Sequence, residues 1–130
     1  MATYFGIDCA KWQGTINWAK VKSAGVQVAI LKATDKNNGP EPAFARNYAG
    51  ATAQGIKIGC YRYVYARTVA AAEHEARKVL AVIQGKAMPA GVWLDVEDKT
   101  LRGIPRATML KMIAAMAKII KAAGYQVGIY

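Results

Sequence analysis

The 130-residue chain is poor in several residue types, and each shortage removes a class of function. It has two cysteines, Cys9 and Cys60, far apart and in no C-x-x-C pair, which disfavours zinc-ribbon and thioredoxin-like chemistry. Both lie in strand-like runs, so buried small thiols are a better reading than a disulfide. The single histidine, His74, sits between Glu73 and Glu75 in a helical stretch and reads as a surface residue rather than a catalytic base. No apolar run is long enough to cross a bilayer, so stable membrane insertion is not expected. The first residues, Met1 to Phe5, show neither a basic region nor an apolar core. No secretory signal is therefore expected, and synthesis in the cytoplasm is the reading that follows.

Acidic residues are also scarce: eight against eighteen lysines and arginines, a net charge of +10. Such a balance attracts polyanions. Nucleic acid and bacterial wall both qualify, and charge alone does not choose between them. The basic residues are spread over helices. There is no RNP-like motif, no zinc pattern and no strand face where aromatics alternate with bases, so a nucleic-acid module is disfavoured. Residues 106–123 combine Met109, Met112, Ile113, Met116, Ile119 and Ile120 with Lys111, Lys118 and Lys121. A membrane-surface helix would show this pattern, but an outer helix with its apolar stripe on a sheet explains it better.

Hydrophobic residues are plentiful, 54% of the chain, enough for a substantial core. Their pattern alternates between strand and helix. Strands are expected at 4–8, 26–33, 57–65, 91–96 and 126–130, and helices at 17–24, 42–54, 69–83 and 106–123. Asn17 is placed to cap the first helix, while Gly25, Gly55, Gly85 and Gly124 follow helix ends. The strands look apolar on both faces, which suits a parallel sheet covered by helices.

Four of the eight acids fall at or just after strand ends: Asp8, Asp35, Asp95 and Glu97. Active sites of parallel α/β folds lie at those ends. Asp95 and Glu97, two apart on a strand, point to one side, with Leu94 and Val96 on the other. Two carboxylates on one cavity cannot both ionise freely, and an acid that keeps its proton can protonate a leaving oxygen. Glycoside cleavage makes that demand, but a metal-binding or salt-bridged pair would look the same. The backbone spacing, roughly 6.5–7 Å, leaves retaining and inverting geometries open. Tyr61, Tyr63 and Tyr65 share one face of the third strand and would suit a sugar site, although core or rim packing is the favoured reading of the pattern alone. For Trp93, which shares the face of the two acids, packing is the favoured reading. Trp12 is left open between packing and pocket lining.

Read together and in order, these segments resemble the glycoside hydrolase family 25 lysozymes, including phage endolysins. The likeness rests on Gly6-Ile7-Asp8, Trp12-Gln13-Gly14, Ile16-Asn17-Trp18, Val21-Lys22 with Ala24-Gly25, and Ala29 to Asp35. It continues through Gly59-Cys60-Tyr61-Arg62-Tyr63, Leu94-Asp95-Val96-Glu97, Gly124-Tyr125 and Gly128-Ile129-Tyr130. The resemblance implies a TIM-like (β/α) barrel, of which residues 1–130 would be the N-terminal part of one catalytic domain with its first five strands. It implies a muramidase that cleaves the β-1,4 bond between N-acetylmuramic acid and N-acetylglucosamine in peptidoglycan, acting on the bacterial cell wall. Glu97 would be the general acid/base. Asp95 would orient the substrate's 2-acetamido group as internal nucleophile. Asp8, Asp35, Tyr61 and Tyr63 would contact substrate, and no metal or organic cofactor is implied.

The chain departs from the family pattern in having Asp35 for the usual Glu, Arg62 for the usual His, and no counterpart of a further acid on a late strand. Arg62 should point away from the cavity, so packing rather than chemistry should change there. A half-barrel would expose strand edges. Truncation, a complementing C-terminal fragment or a homodimer would each account for it. Residues 1–130 alone are expected to have little or no muramidase activity, and a wall-binding fragment is the alternative reading.

Overall fold

A computed structural model describes residues 3–130. Five strands form one parallel sheet in sequence order: β1 (Gly6–Cys9), β2 (Val28–Lys32), β3 (Lys57–Tyr63), β4 (Val92–Asp95) and β5 (Val127–Ile129). The crossovers carry helices α1 (Trp18–Ser23), α2 (Phe44–Ala53), α3 (Val69–Ile83) and α4 (Arg106–Ala122). This is the β-α alternation of an (β/α) barrel, five strands of which are seen here. Two 3₁₀ turns that periodicity does not announce, Lys11–Gln13 and Lys99–Leu101, follow β1 and β4.

Local chemistry sets the boundaries. The Asn17 side chain accepts the Lys20 N–H at 3.0 Å and starts α1, and Thr68 caps α3 in the same way through Ala71. Gly25 and Gly124 take φ of +92° and +94° after α1 and α4, the left-handed conformation that ends a helix without steric penalty. Helix α2 begins at Phe44, two residues later than periodicity suggests, because Glu41 and Pro42 belong to the turn that precedes it.

The two faces of the sheet differ, contrary to the expectation of strands apolar on both sides. One face supplies Ala29, Leu31, Ile58, Cys60, Val92 and Leu94 to the core, packed with Ala72, Ala76, Val79 and Ile83 of α3 and Met112, Met116 and Ile120 of α4. The apolar stripe of α4 is thus used for packing on its own domain. Cys9 and Cys60 are buried free thiols, and burial pushes them up to about 11 and about 12 respectively. The other face carries Asp8, Ile30, Lys32, Tyr61, Tyr63, Trp93 and Asp95, none of them fully buried. Alternation puts chemistry on one side and core on the other.

Candidate functional site

The polar face lines a cavity of about 650 Å³ bounded by Asp8, Trp12, Ile30, Lys32, Tyr61, Tyr63, Tyr65, Trp93, Asp95, Glu97 and Tyr130. Strand register stacks these side chains in rows. Lys32, Tyr61, Trp93 and Gly128 lie side by side on β2 to β5, and Tyr63 lies beside Asp95 one step nearer the C-terminal ends.

Asp95 is the last residue of β4, and Glu97 lies beyond it. The backbone nevertheless stays extended in the sheet, because Val96 N–H donates to the Tyr130 carbonyl at 2.9 Å. That holds Glu97 on the side of Asp95. The carboxyl of Asp95 is raised to about 6, first by desolvation, then by a hydrogen bond and repulsion from Glu97, then by Asp8, with Lys32 opposing. One oxygen of Asp95, Oδ1, is buried without a hydrogen-bond partner. The raised group is therefore Asp95, at the cavity floor. Glu97 lies exposed at the mouth. The two carboxyls act as a pair that keeps one proton to higher pH than a lone aspartate would.

Tyr61 is held protonated well above its ordinary value by burial and then by Asp8 and Asp95, so its hydroxyl stays a donor facing the acids. Tyr63 donates to Asp98 at 3.2 Å, and its ring lies 5.1 Å from that of Tyr65. Asp98 in turn accepts the Thr100 N–H and hydroxyl, which holds its carboxyl below the usual range. The three tyrosines thus line the cavity as one row.

Asp35 is not brought to this cavity. Its Oδ1 accepts the N–H of Asn37 at 2.8 Å and of Gly39 at 2.9 Å, closing the turn after β2. An aspartate followed by Lys-Asn-Asn-Gly folds back on its own backbone sooner than it reaches a ligand. Trp93 also departs from expectation: it lines the cavity with 37% of its surface exposed. Trp12, 77% exposed, stands on the rim with the Lys11 ammonium 4.7 Å from its ring centre. His74 is on the helix surface, as expected.

Arg62 points away from the cavity into the core, fully buried. It forms an ion pair with Glu75 of α3 at 3.2 Å and donates to Thr34 Oγ1 at 3.0 Å. Glu75 also accepts the Tyr65 N–H. This cluster ties the ends of β2 and β3 to α3 beneath the site.

Two contributors escape sequence reasoning. Glu41 is buried; its Oε1 accepts the Lys11 N–H at 2.7 Å and its Oε2 the Ala43 N–H at 2.9 Å, fixing the segment that carries Trp12. The Pro40-Glu41-Pro42 sequence is the only local sign of it. Lys32, noticeable as the single charge in β2, lines the cavity with its ammonium 6.0 Å from the Tyr63 ring centre.

Comparison with known proteins is consistent across sequence and fold. The family model described as glycosyl hydrolases family 25 matches residues 7–130. Lysozyme M1 of Streptomyces globisporus is 47% identical over 58 residues, 45% of this chain and 20% of that protein. The autolytic lysozyme of Clostridium acetobutylicum is 33% identical over 92 residues, 71% of this chain and 28% of that protein. The modular autolysin LytC from Streptococcus pneumoniae superposes with a TM-score of 0.85 at 26% identity, over 100% of this chain and 33% of that one. The chain therefore spans between 20% and 28% of the length of these two curated relatives.

Proposed function

This chain belongs to glycosyl hydrolase family 25, and from that premise we propose that it serves a muramidase, hydrolysing the β-1,4 bond between N-acetylmuramic acid and N-acetylglucosamine of peptidoglycan. The observation that carries this reading is the Asp95–Glu97 pair, two carboxyls that face one cavity and influence each other's ionisation. The one proton that the pair shares leaves through Glu97, at the mouth, to the glycosidic oxygen as the bond to the anomeric carbon breaks, and Asp95 is then the carboxylate. The acetamido oxygen of the substrate attacks that carbon while Asp95 accepts the acetamido N–H and stabilises the charge that develops. Water then opens the cyclic intermediate, and the Glu97 carboxylate takes the water's proton, which restores the pair. Asp8 and the Tyr61 hydroxyl supply further hydrogen bonds around the same ring.

The test compares wild type with Glu97→Gln on purified cell walls, with residues 1–130 carried in a complete family 25 barrel. Lysis by wild type, its loss in Glu97→Gln and equal sedimentation of both with walls is the expected result. Equal lysis by the variant would remove Glu97 from the mechanism. Sedimentation without lysis by wild type would favour the wall-binding alternative.

A further inference from the structure

The indole of Trp93 is laid on a bed of bare backbone. Its register partner on β5 is Gly128. A Cβ at that glycine would lie 2.4 Å from Cε3 and Cζ3 of the indole and 2.8 Å from Cδ2, distances that no alanine could keep. The ring therefore rests directly on β5. Its in-plane angle is also fixed, because Nε1 donates to the Ala90 carbonyl at 2.9 Å. Next to it is Gly91, at φ +87°, whose would-be Cβ would lie 3.6 Å from Nε1, an ordinary van der Waals contact. One face of the indole is thus spent on Gly128, its polar edge is satisfied, and what remains exposed looks into the cavity that holds Asp95 and Glu97.

We propose that Trp93 is a fixed platform for the apolar face of an N-acetylated pyranose, a binding residue that sets the sugar's position beside Asp95; this rests on the glycosidase reading. A pyranose presents axial C–H groups on one face and hydroxyls at its rim. A flat, immobile aromatic surface suits the face, while the nearby tyrosine hydroxyls and carboxylates suit the rim. Because the ring is already held, little side-chain freedom is lost on binding. Trp12 differs: it is more exposed and has the Lys11 ammonium over one face, so it lacks this preparation.

The experiment titrates wild type and its variants, each carried in the same complete barrel, with the β-1,4-linked tetramer of N-acetylglucosamine, by calorimetry and by tryptophan emission, alongside lysis of walls. The expected result is an emission change that persists in Trp12→Phe and vanishes in Trp93→Phe. Trp93→Ala should weaken binding about five- to tenfold. Gly128→Ala should do the same without touching a sugar, since its methyl lifts the ring from its bed. Unaltered circular dichroism in Trp93→Phe keeps the result interpretable if Gly128→Ala misfolds. Equal tetramer affinity in wild type and Trp93→Ala would overturn the platform and leave the glycosidase reading standing. Lysis by wild type with no tetramer binding would do likewise. Neither binding nor lysis would overturn both.

Discussion

At the scale of single residues, the site depends on where one proton resides. Unfolded, Asp95 ionises near its ordinary 3.8; folded, it holds its proton to about 6. The folded state binds that proton more tightly, so this residue's contribution to stability is greatest below the unfolded value and is lost as pH rises through about 6. Asp95→Asn should therefore gain stability over wild type at pH 7 and gain nothing at pH 3.5. Because the group is partly exposed, the gain should be on the order of 1 kcal/mol, less than the full shift would give. Urea unfolding at the two pH values measures it. Catalysis should move oppositely. If the pair must hold one proton, kcat/KM on walls should fall as pH rises past about 6, and Asp95→Asn should lose activity at every pH. A flat profile between pH 5 and 8 would break the link between the pair and turnover.

At the scale of elements, Arg62 and Glu75 join β3 to α3 within the core, at the level of the cavity floor. Removing one member of a buried pair leaves the other's charge without compensation, which costs about 3–5 kcal/mol. Arg62→Met should lose stability on that scale, read from the urea midpoint. Arg62→Met with Glu75→Leu should recover part of it, because no charge is stranded. Recovery should be incomplete, since the Tyr65 N–H and Thr34 hydroxyl then lack a partner.

The same region shows what can be read from sequence and what cannot. Periodicity and caps locate every strand and helix, because Asn17, Gly25 and Gly124 act through neighbours in the chain. The inward turn of Arg62 follows from strand alternation with Tyr61 and Tyr63. By contrast, Glu41 acts on Lys11, thirty positions away, and the bed of Trp93 is a glycine on another strand. Such partners are made by register and crossover, which local pattern does not encode. Asp35 shows the converse. Its place after a strand suggests a site, but the bonds its Oδ1 makes, to Asn37 and Gly39, are local.

At the scale of the whole molecule, the net charge of +10 is distributed unevenly. All eight acids have a place. Asp8, Asp95 and Glu97 line the cavity, and Glu41 and Glu75 are buried. Asp35 and Asp98 close turns, and Glu73 pairs with Arg77 on α3. Of the eighteen basic residues only Arg62 is buried. The outer surface is therefore cationic and the cavity anionic. A long polyanion would be drawn to the helices by a field that salt screens over about 10 Å at 0.1 M, whereas a neutral sugar in the cavity is held by short-range contacts. Sedimentation with purified walls should accordingly fall steeply as salt rises from about 0.05 to about 0.5 M, and Lys118→Glu with Lys121→Glu should make the fall begin at lower salt. Binding of the neutral N-acetylglucosamine tetramer should change little over the same range. Equal salt dependence for walls and tetramer would mean that the basic surface takes no part in adsorption, and that the cavity alone holds the chain to its substrate.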